Sequence, residues 1–211
     1  MLESHAVLLT VVYFLDVFGT AVFAVTGAFK AIEHKYDIVG IVIVATVTGT
    51  AGGVMRDLLF GIHFPTALSN PVYMIVTTII AICVFLLYGK LRSESKLFII
   101  FDAVGLGVFT FIGAYIANLY FGENPLLIII GGVITAIGGG IIRDVLVNEH
   151  PIVFTKEIYA AASFLGVVVF YALEVAQVKL EISATATIVI VIAVRLLAVK
   201  RNWNLPRVTS L

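Results

Sequence analysis

Thr48-Gly49-Thr50-Ala51-Gly52-Gly53-Val54-Met55-Arg56-Asp57 sets three glycines and an adjacent Arg-Asp pair inside an apolar run long enough to cross a bilayer. The pattern returns as Thr135-Ala136-Ile137-Gly138-Gly139-Gly140-Ile141-Ile142-Arg143-Asp144. Glycine weakens a helix, and charge is costly in hydrocarbon, so neither feature belongs in an ordinary lipid-facing span. Their repetition points to one structural unit used twice.

The surrounding composition requires a membrane. Of 211 residues, 61% are hydrophobic and 12% charged, with Lys plus Arg and Asp plus Glu at 13 each. The mean hydropathy is +1.14. A water-soluble domain of this size has no way to bury so much apolar surface. The charge balance gives no basic tract for nucleic acid, and Cys83 is the only cysteine, which excludes an internal disulfide. Lys30, the first Lys or Arg, follows the first apolar run, so that run reads as a retained helix rather than a signal peptide.

A span needs about 20 mainly apolar residues. Seven runs qualify, at 6–29, 38–60, 71–89, 97–120, 125–147, 157–174 and 182–199. They are too long and too continuously apolar for barrel strands. An N-terminus outside places Lys30, Lys35, Lys90, Arg92, Lys96, Lys156, Lys200, Arg201 and Arg207 on the inner side, against Lys179 alone outside. Basic residues favour the cytoplasmic side, so the expected topology is N-terminus outside and C-terminus cytoplasmic, in a multi-pass protein of the cell membrane.

The repeat extends beyond the motif. Residues 16–28 align with 102–114 at an offset of 86, Arg56, Asp57 and His63 align with Arg143, Asp144 and His150 at 87, and Pro65 and Tyr73 align with Pro151 and Tyr159 at 86. Each unit holds three spans, an odd number, so the second enters the membrane from the opposite side. The expected fold is an all-α membrane protein of seven transmembrane helices. It comprises a unit at 1–92, an inverted unit at 93–178, and a seventh helix with a tail at 179–211. Inverted repeats place transport pathways at the repeat interface near the bilayer centre. The seventh helix, lacking a counterpart, is expected to pack around the outside.

Two readings of Gly49, Gly52, Gly53, Gly138, Gly139 and Gly140 stay open. Small residues let helices approach closely. Alternatively, the helices kink or unwind there and expose backbone polar groups to a wet cavity. Thr48 and Thr135 belong to the same candidate lining, with the competing possibility that each hydroxyl bonds back to its own helix.

Arg56 and Arg143 stand about 10 Å from the midplane, where an ionised side chain costs up to about 2.5–3.5 kcal/mol without a partner. Successive helical positions point in different directions, so Arg56 is expected not to pair with Asp57, nor Arg143 with Asp144. The two motifs should lie roughly 20 Å apart in height, which favours Asp16 for Arg56 and Asp102 for Arg143. Asp102 also reads as close enough to the interface to be solvated. His63 and His150 read as interfacial residues with a possible pH response, while Glu174 and a snorkelling Arg195 carry no assigned role. There is no phosphate loop and no histidine pair at metal-ligand spacing, so neither an enzyme nor a metal or cofactor site is expected.

The paired Gly-Gly-x-x-Arg-Asp motifs, one in each three-helix half and followed by a seventh helix, resemble the prokaryotic trimeric intracellular cation channel family and the related bacterial glycine-transporter-domain proteins. The resemblance covers about residues 6–199. It implies a homotrimer among membrane lipids, with one pore per protomer for potassium, sodium or other monovalent cations and with kinks at Gly52-Gly53 and Gly139-Gly140. Ile141-Ile142-Arg143-Asp144 lacks the lysine through which animal members are associated with phosphoinositides. The rival readings are a carrier of a small amino acid such as glycine and a non-conducting scaffold.

Overall fold

Helix boundaries follow the local capping chemistry. Asp37 accepts the Gly40 N–H at the start of α2 (Ile38–Leu59), and Asn124 accepts from Leu126 and Leu127 ahead of α6 (Pro125–Leu146), where Pro125 needs no helical donor partner. Each of these helices ends two residues before a left-handed position, Gly61 at φ 68° and Asn148 at φ 59°. There the chain folds back, and Ile62 and Glu149 donate to the carbonyls of Asp57 and Asp144.

The computed structural model describes the backbone of residues 2–62, 64–91, 95–122, 124–155 and 158–203, with side chains for all of these except 2–9, 90, 91, 95 and 155. The sequence readings at His63, Lys90, Arg92, Lys156 and Arg207 fall outside the described residues or side chains. The other long helices are α1 (Leu2–Glu33), α4 (Pro71–Leu91), α5 (Ser95–Phe121), α8 (Ala160–Val175) and α9 (Leu180–Arg201). Six of the seven long helices have the length and apolarity of membrane spans, and the seventh, α8, is a shorter apolar helix. Two four-residue helices, α3 (Thr66–Ser69) and α7 (Ile152–Thr155), follow the two motifs and have no counterpart in the sequence reading.

α1, α2, α5 and α6 form the centre, with α4 against α1 and α2, α8 against α5 and α6, and α9 against α5 and α8. The register is antiparallel between the halves. Gly19 meets Val108 and Phe109 while Gly105 meets Phe23, and Gly52 meets Thr135 while Gly139 meets Thr48. The pairs exchange under the repeat offset, as an inverted two-fold demands. The large apolar side chains left exposed, including Ile75, Ile79, Phe85 and Leu86 on α4, suit a bilayer or a partner helix.

The glycine clusters do not interrupt their helices. Helical structure is continuous from Ile38 to Leu59 and from Pro125 to Leu146, with no unwound segment in either. Their role at the crossing is close approach. A Cβ on Gly52 would overlap the Thr135 carbonyl oxygen, and one on Gly139 would overlap that of Thr48. The obstacles are backbone atoms, which have nowhere to yield. Thr48 and Thr135 bond back to Val44 O and Gly131 O, both at 2.6 Å, so their hydroxyls serve their own helices.

α9 lies on the periphery as expected, but Ser183, Thr187, Val191, Arg195 and Ala198 form a buried stripe facing α5 and α8. Arg195 is 4% exposed and turns inward, which corrects the snorkelling reading. A buried carboxylate on α5 supplies the reason, described below.

Gly52→Ala and Gly139→Ala are expected to lower the thermal midpoint of the detergent-solubilised protein, each costing about 1–3 kcal/mol through overpacking. Gly53→Ala should be tolerated, because the nearest atom to its added Cβ is Arg56 Nη2 at 3.8 Å. Equal damage from all three substitutions would count against close packing at the crossing.

Candidate functional site

Each motif helix carries its arginine and aspartate just past the glycine crossing, and both pairs are buried. Arg56 and Arg143 are 4% and 0% exposed, and Asp57 and Asp144 are each 1% exposed. Arg56 Nε donates to Asp57 Oδ1 at 2.8 Å, and its Nη2 lies 2.7 Å from the same oxygen. Arg143 Nε donates to Asp144 Oδ1 at 2.8 Å. Pairing between neighbours is therefore the observed state, contrary to expectation. Cβ directions diverge at i and i+1, but the long arginine chain runs tangentially around the helix and brings its head group to the adjacent carboxylate. In a low-dielectric setting a nearby counter-charge outweighs that detour.

The second oxygen of each aspartate has a structural task. Asp57 Oδ2 accepts the Thr66 N–H at 2.8 Å and Asp144 Oδ2 accepts the Ile152 N–H at 2.9 Å. These are the first residues of α3 and α7. The Arg-Asp pair thus braces the chain reversal after each motif helix, a job that required those two short elements to be visible.

The acids on the first helix of each unit complete the clusters. Tyr73 donates its hydroxyl to Asp16 at 2.5 Å, and Tyr159 donates to Asp102 at 3.1 Å. Tyr73 and Tyr159 are equivalent under the repeat, but neither was singled out as a site residue; their shared place in the offset was the available signal. Asp102 is 1% exposed, which corrects the solvated reading, because Arg143, Tyr159 and Arg195 enclose it.

The halves then diverge. Arg143 Nη1 donates to Asp102 Oδ1 and to Thr26 Oγ1, both at 3.0 Å, and its guanidinium packs 4.9 Å from the Phe98 ring centroid. Among the described residues Arg56 forms no ion pair with Asp16; one buried nitrogen of each arginine, Arg56 Nη1 and Arg143 Nη2, has no hydrogen-bond acceptor. The residue equivalent to Thr26 is Ile112, which offers no oxygen. Asp16, Thr20, Gly49, Thr50, Gly53, Arg56 and Tyr73 instead surround a cavity of about 10 Å³, together with Thr66, Ala67 and Phe109. Such a space is about one water in size. A Cβ on Gly53 would lie 3.8 Å from Arg56 Nη2, whereas one on Gly140 would lie 3.8 Å from Arg143 Nη2 and only 3.2 Å from the Tyr159 hydroxyl. Gly138 packs on Met55 and Gly52.

Near the end of α1, Lys30 Nζ contacts the two Glu149 carboxylate oxygens at 2.9 and 2.7 Å, and His34 Nε2 lies 3.3 Å from Oε1. Burial pushes the Glu149 carboxyl up, but the Lys30 hydrogen bond and charge, aided by His34 and Arg143, outweigh it and hold the group below its ordinary value. This cluster ties α1 to the turn after α6. His150 is exposed in that turn.

The sequence and the fold both have known relatives. The family described as Glycine transporter matches twice, at residues 13–89 and 99–175. The chain belongs to that family. The inner membrane protein YadS of Escherichia coli K12, described as UPF0126, is 36% identical over 200 residues, covering 92% of this chain and 95% of the relative. The UPF0126 membrane protein YvgT of Bacillus subtilis is 37% identical over 154 residues, covering 72% and 75%. Among solved structures, the TRIC trimeric intracellular cation channel orthologue of Rhodobacter sphaeroides superposes with a TM-score of 0.87 at 34% identity, covering 92% of this chain and all of that one (100%). A prokaryotic TRIC channel crystallised in 0.5 M KCl gives 0.85 at 35% identity, covering 93% and 99%. The fold is that of the TRIC channels, and the protein is a multi-pass membrane protein.

Asp57→Asn is expected to be the more damaging of two matched substitutions, costing about 3–5 kcal/mol because it strands a buried guanidinium. Asp144→Asn should cost less, since Arg143 keeps Asp102. Midpoints of thermal unfolding in detergent compare the two.

The folded Glu149 carboxyl titrates below its ordinary 4.5, so its contribution is complete above that pH and is lost as pH falls through the lower folded value. The wild-type midpoint should drop more steeply below about pH 4.5 than that of Glu149→Gln, and a parallel pair of curves would refute the linkage.

Proposed function

We propose that this protein is a monovalent cation channel passing potassium and sodium, assembled as a homotrimer in the cell membrane with one pathway in each protomer. The likeness to TRIC cation channels over more than nine-tenths of the chain carries this reading. The units 1–92 and 93–178 act as its two halves, with 179–211 added to the second, the N-terminus outside and the C-terminus cytoplasmic. Ions pass beside the α2–α6 crossing formed by Thr48, Gly52, Thr135, Gly138, Gly139 and Gly140. Gly49, Thr50 and Gly53 flank the pathway in the first unit. Asp16, Arg56, Asp57, Asp102, Arg143 and Asp144 set its potential.

The chemistry suits ions that shed part of their water. Carbonyl, hydroxyl and carboxylate oxygens suit hard monovalent cations, and a carboxylate inside a membrane favours cations over anions. A carrier of a small amino acid is the second reading, supported by the family's description and by the unequal state of the two otherwise equivalent charge clusters.

Purified protein in planar bilayers should show stepwise unitary currents under a potassium gradient. Saturable glycine uptake into proteoliposomes with no unitary current would replace the channel with the carrier.

A further inference from the structure

The two units bear the same three charges at equivalent places: Asp16, Arg56 and Asp57 in the first, Asp102, Arg143 and Asp144 in the second. Fully ionised, each triad carries one net negative charge. In the second unit a fourth group balances it. Arg195 of α9 lies 4.0 Å from Asp102 Oδ2 and packs its guanidinium 4.8 Å from the centroid of the Tyr159 ring. Asp102 therefore has Arg143 bonded at Oδ1, while its Oδ2 accepts no hydrogen bond among the described residues and has the Arg195 guanidinium as a counter-charge 4.0 Å away.

α9 is the one long helix without a counterpart, so the first unit has no equivalent of Arg195. Arg56 is engaged by Asp57, and Asp16 receives the neutral hydroxyl of Tyr73. With all three groups ionised, the first cluster has one negative charge more than its fixed cations balance. Beside it lies the cavity bounded by Asp16, Thr20, Gly49, Gly53, Arg56 and Tyr73, about 10 Å³ in volume.

We propose that a small monovalent cation binds at Asp16 in this cavity, against Tyr73, in the place that the Arg195 guanidinium takes against Asp102 and Tyr159. The inference rests on the cation-pathway reading and names a binding site within it. Charge supplies the driving force, because an ionised carboxylate with no ion pair in a low-dielectric setting is costly and a counter-ion removes that cost. Size agrees as well: the cavity takes a body about as large as a water molecule, which fits a largely dehydrated potassium ion. Tyr73 also lines the cavity, at the position equivalent to Tyr159, whose ring receives Arg195. Arg56 on the cavity wall does not forbid the ion, since Asp102 already has two guanidinium groups beside it. Because the fixed group in the second unit is a guanidinium, free guanidinium ion is expected to compete with potassium at Asp16.

The test uses the full-length protein in detergent, with potassium chloride exchanged for choline chloride at constant ionic strength. The wild-type thermal midpoint should rise saturably with potassium, and guanidinium at concentrations far below denaturing ones should reduce that response. Asp16→Asn keeps an acceptor for Tyr73 and should abolish the potassium response. Arg195→Gln should create a second response of comparable size by uncovering Asp102, and Arg195→Lys should suppress it. Wild-type crystals soaked in thallium(I) should show an anomalous peak at Asp16, a readout independent of any variant's folding. A wild-type midpoint indifferent to potassium, a response undiminished in Asp16→Asn, or stabilisation by acid in place of potassium overturns the site. Unitary currents from the same preparation separate the two readings. Currents without a potassium shift leave the channel and remove the site, whereas a shift without currents leaves the site and removes the channel.

Discussion

Two guanidinium groups buried among membrane helices set the terms for the rest of this structure. An arginine in hydrocarbon must find counter-charge and acceptors within its own reach. Here each one takes the aspartate beside it, and that aspartate also holds the first N–H of the following short helix. The arrangement links charge burial to chain direction. α2 and α6 can end inside the bundle and turn back because the same carboxylate that neutralises the arginine receives the returning backbone.

The second constraint is the distance of closest approach between α2 and α6. Gly52 against the Thr135 carbonyl and Gly139 against the Thr48 carbonyl bring two backbones together at the pseudo-two-fold. The arginine clusters then fall on opposite sides of one crossing, each at the far end of its own helix. A pathway along such a crossing passes one cluster, the glycine contact and the other cluster in turn.

The added seventh helix breaks the equivalence. Arg195 gives the second cluster a second fixed cation, while Thr26 from the first unit reaches over to accept from Arg143 Nη1. The first cluster receives neither contribution, and its arginine faces a water-sized cavity instead. Inverted halves that share the same three charged positions thus differ in the partners those charges find. A protein that moves cations can use the less occupied half as the place where an ion interacts with the chain.

Much of this was legible in the sequence. Hydropathy set the number of long helices, the odd number of spans per unit made the repeat inverted, and the near-constant offset identified Arg143 with Arg56 and Asp102 with Asp16. The depth argument also anticipated the Arg143 to Asp102 contact. Tertiary structure decided the remainder. Whether Gly52 and Gly139 bend a helix or admit a neighbour depends on which backbone lies opposite, and local sequence does not encode that. The pairing of Arg56 with Asp57 depends on side-chain paths rather than Cβ directions. Arg195 near a helix end could face water or protein, and only the packing of α9 on α5 and α8 turned it toward Asp102. By itself the sequence determined a membrane-spanning inverted repeat with buried charges; the three-dimensional packing decided which charges meet, because side-chain reach and helix rotation depend on contacts distant in the chain.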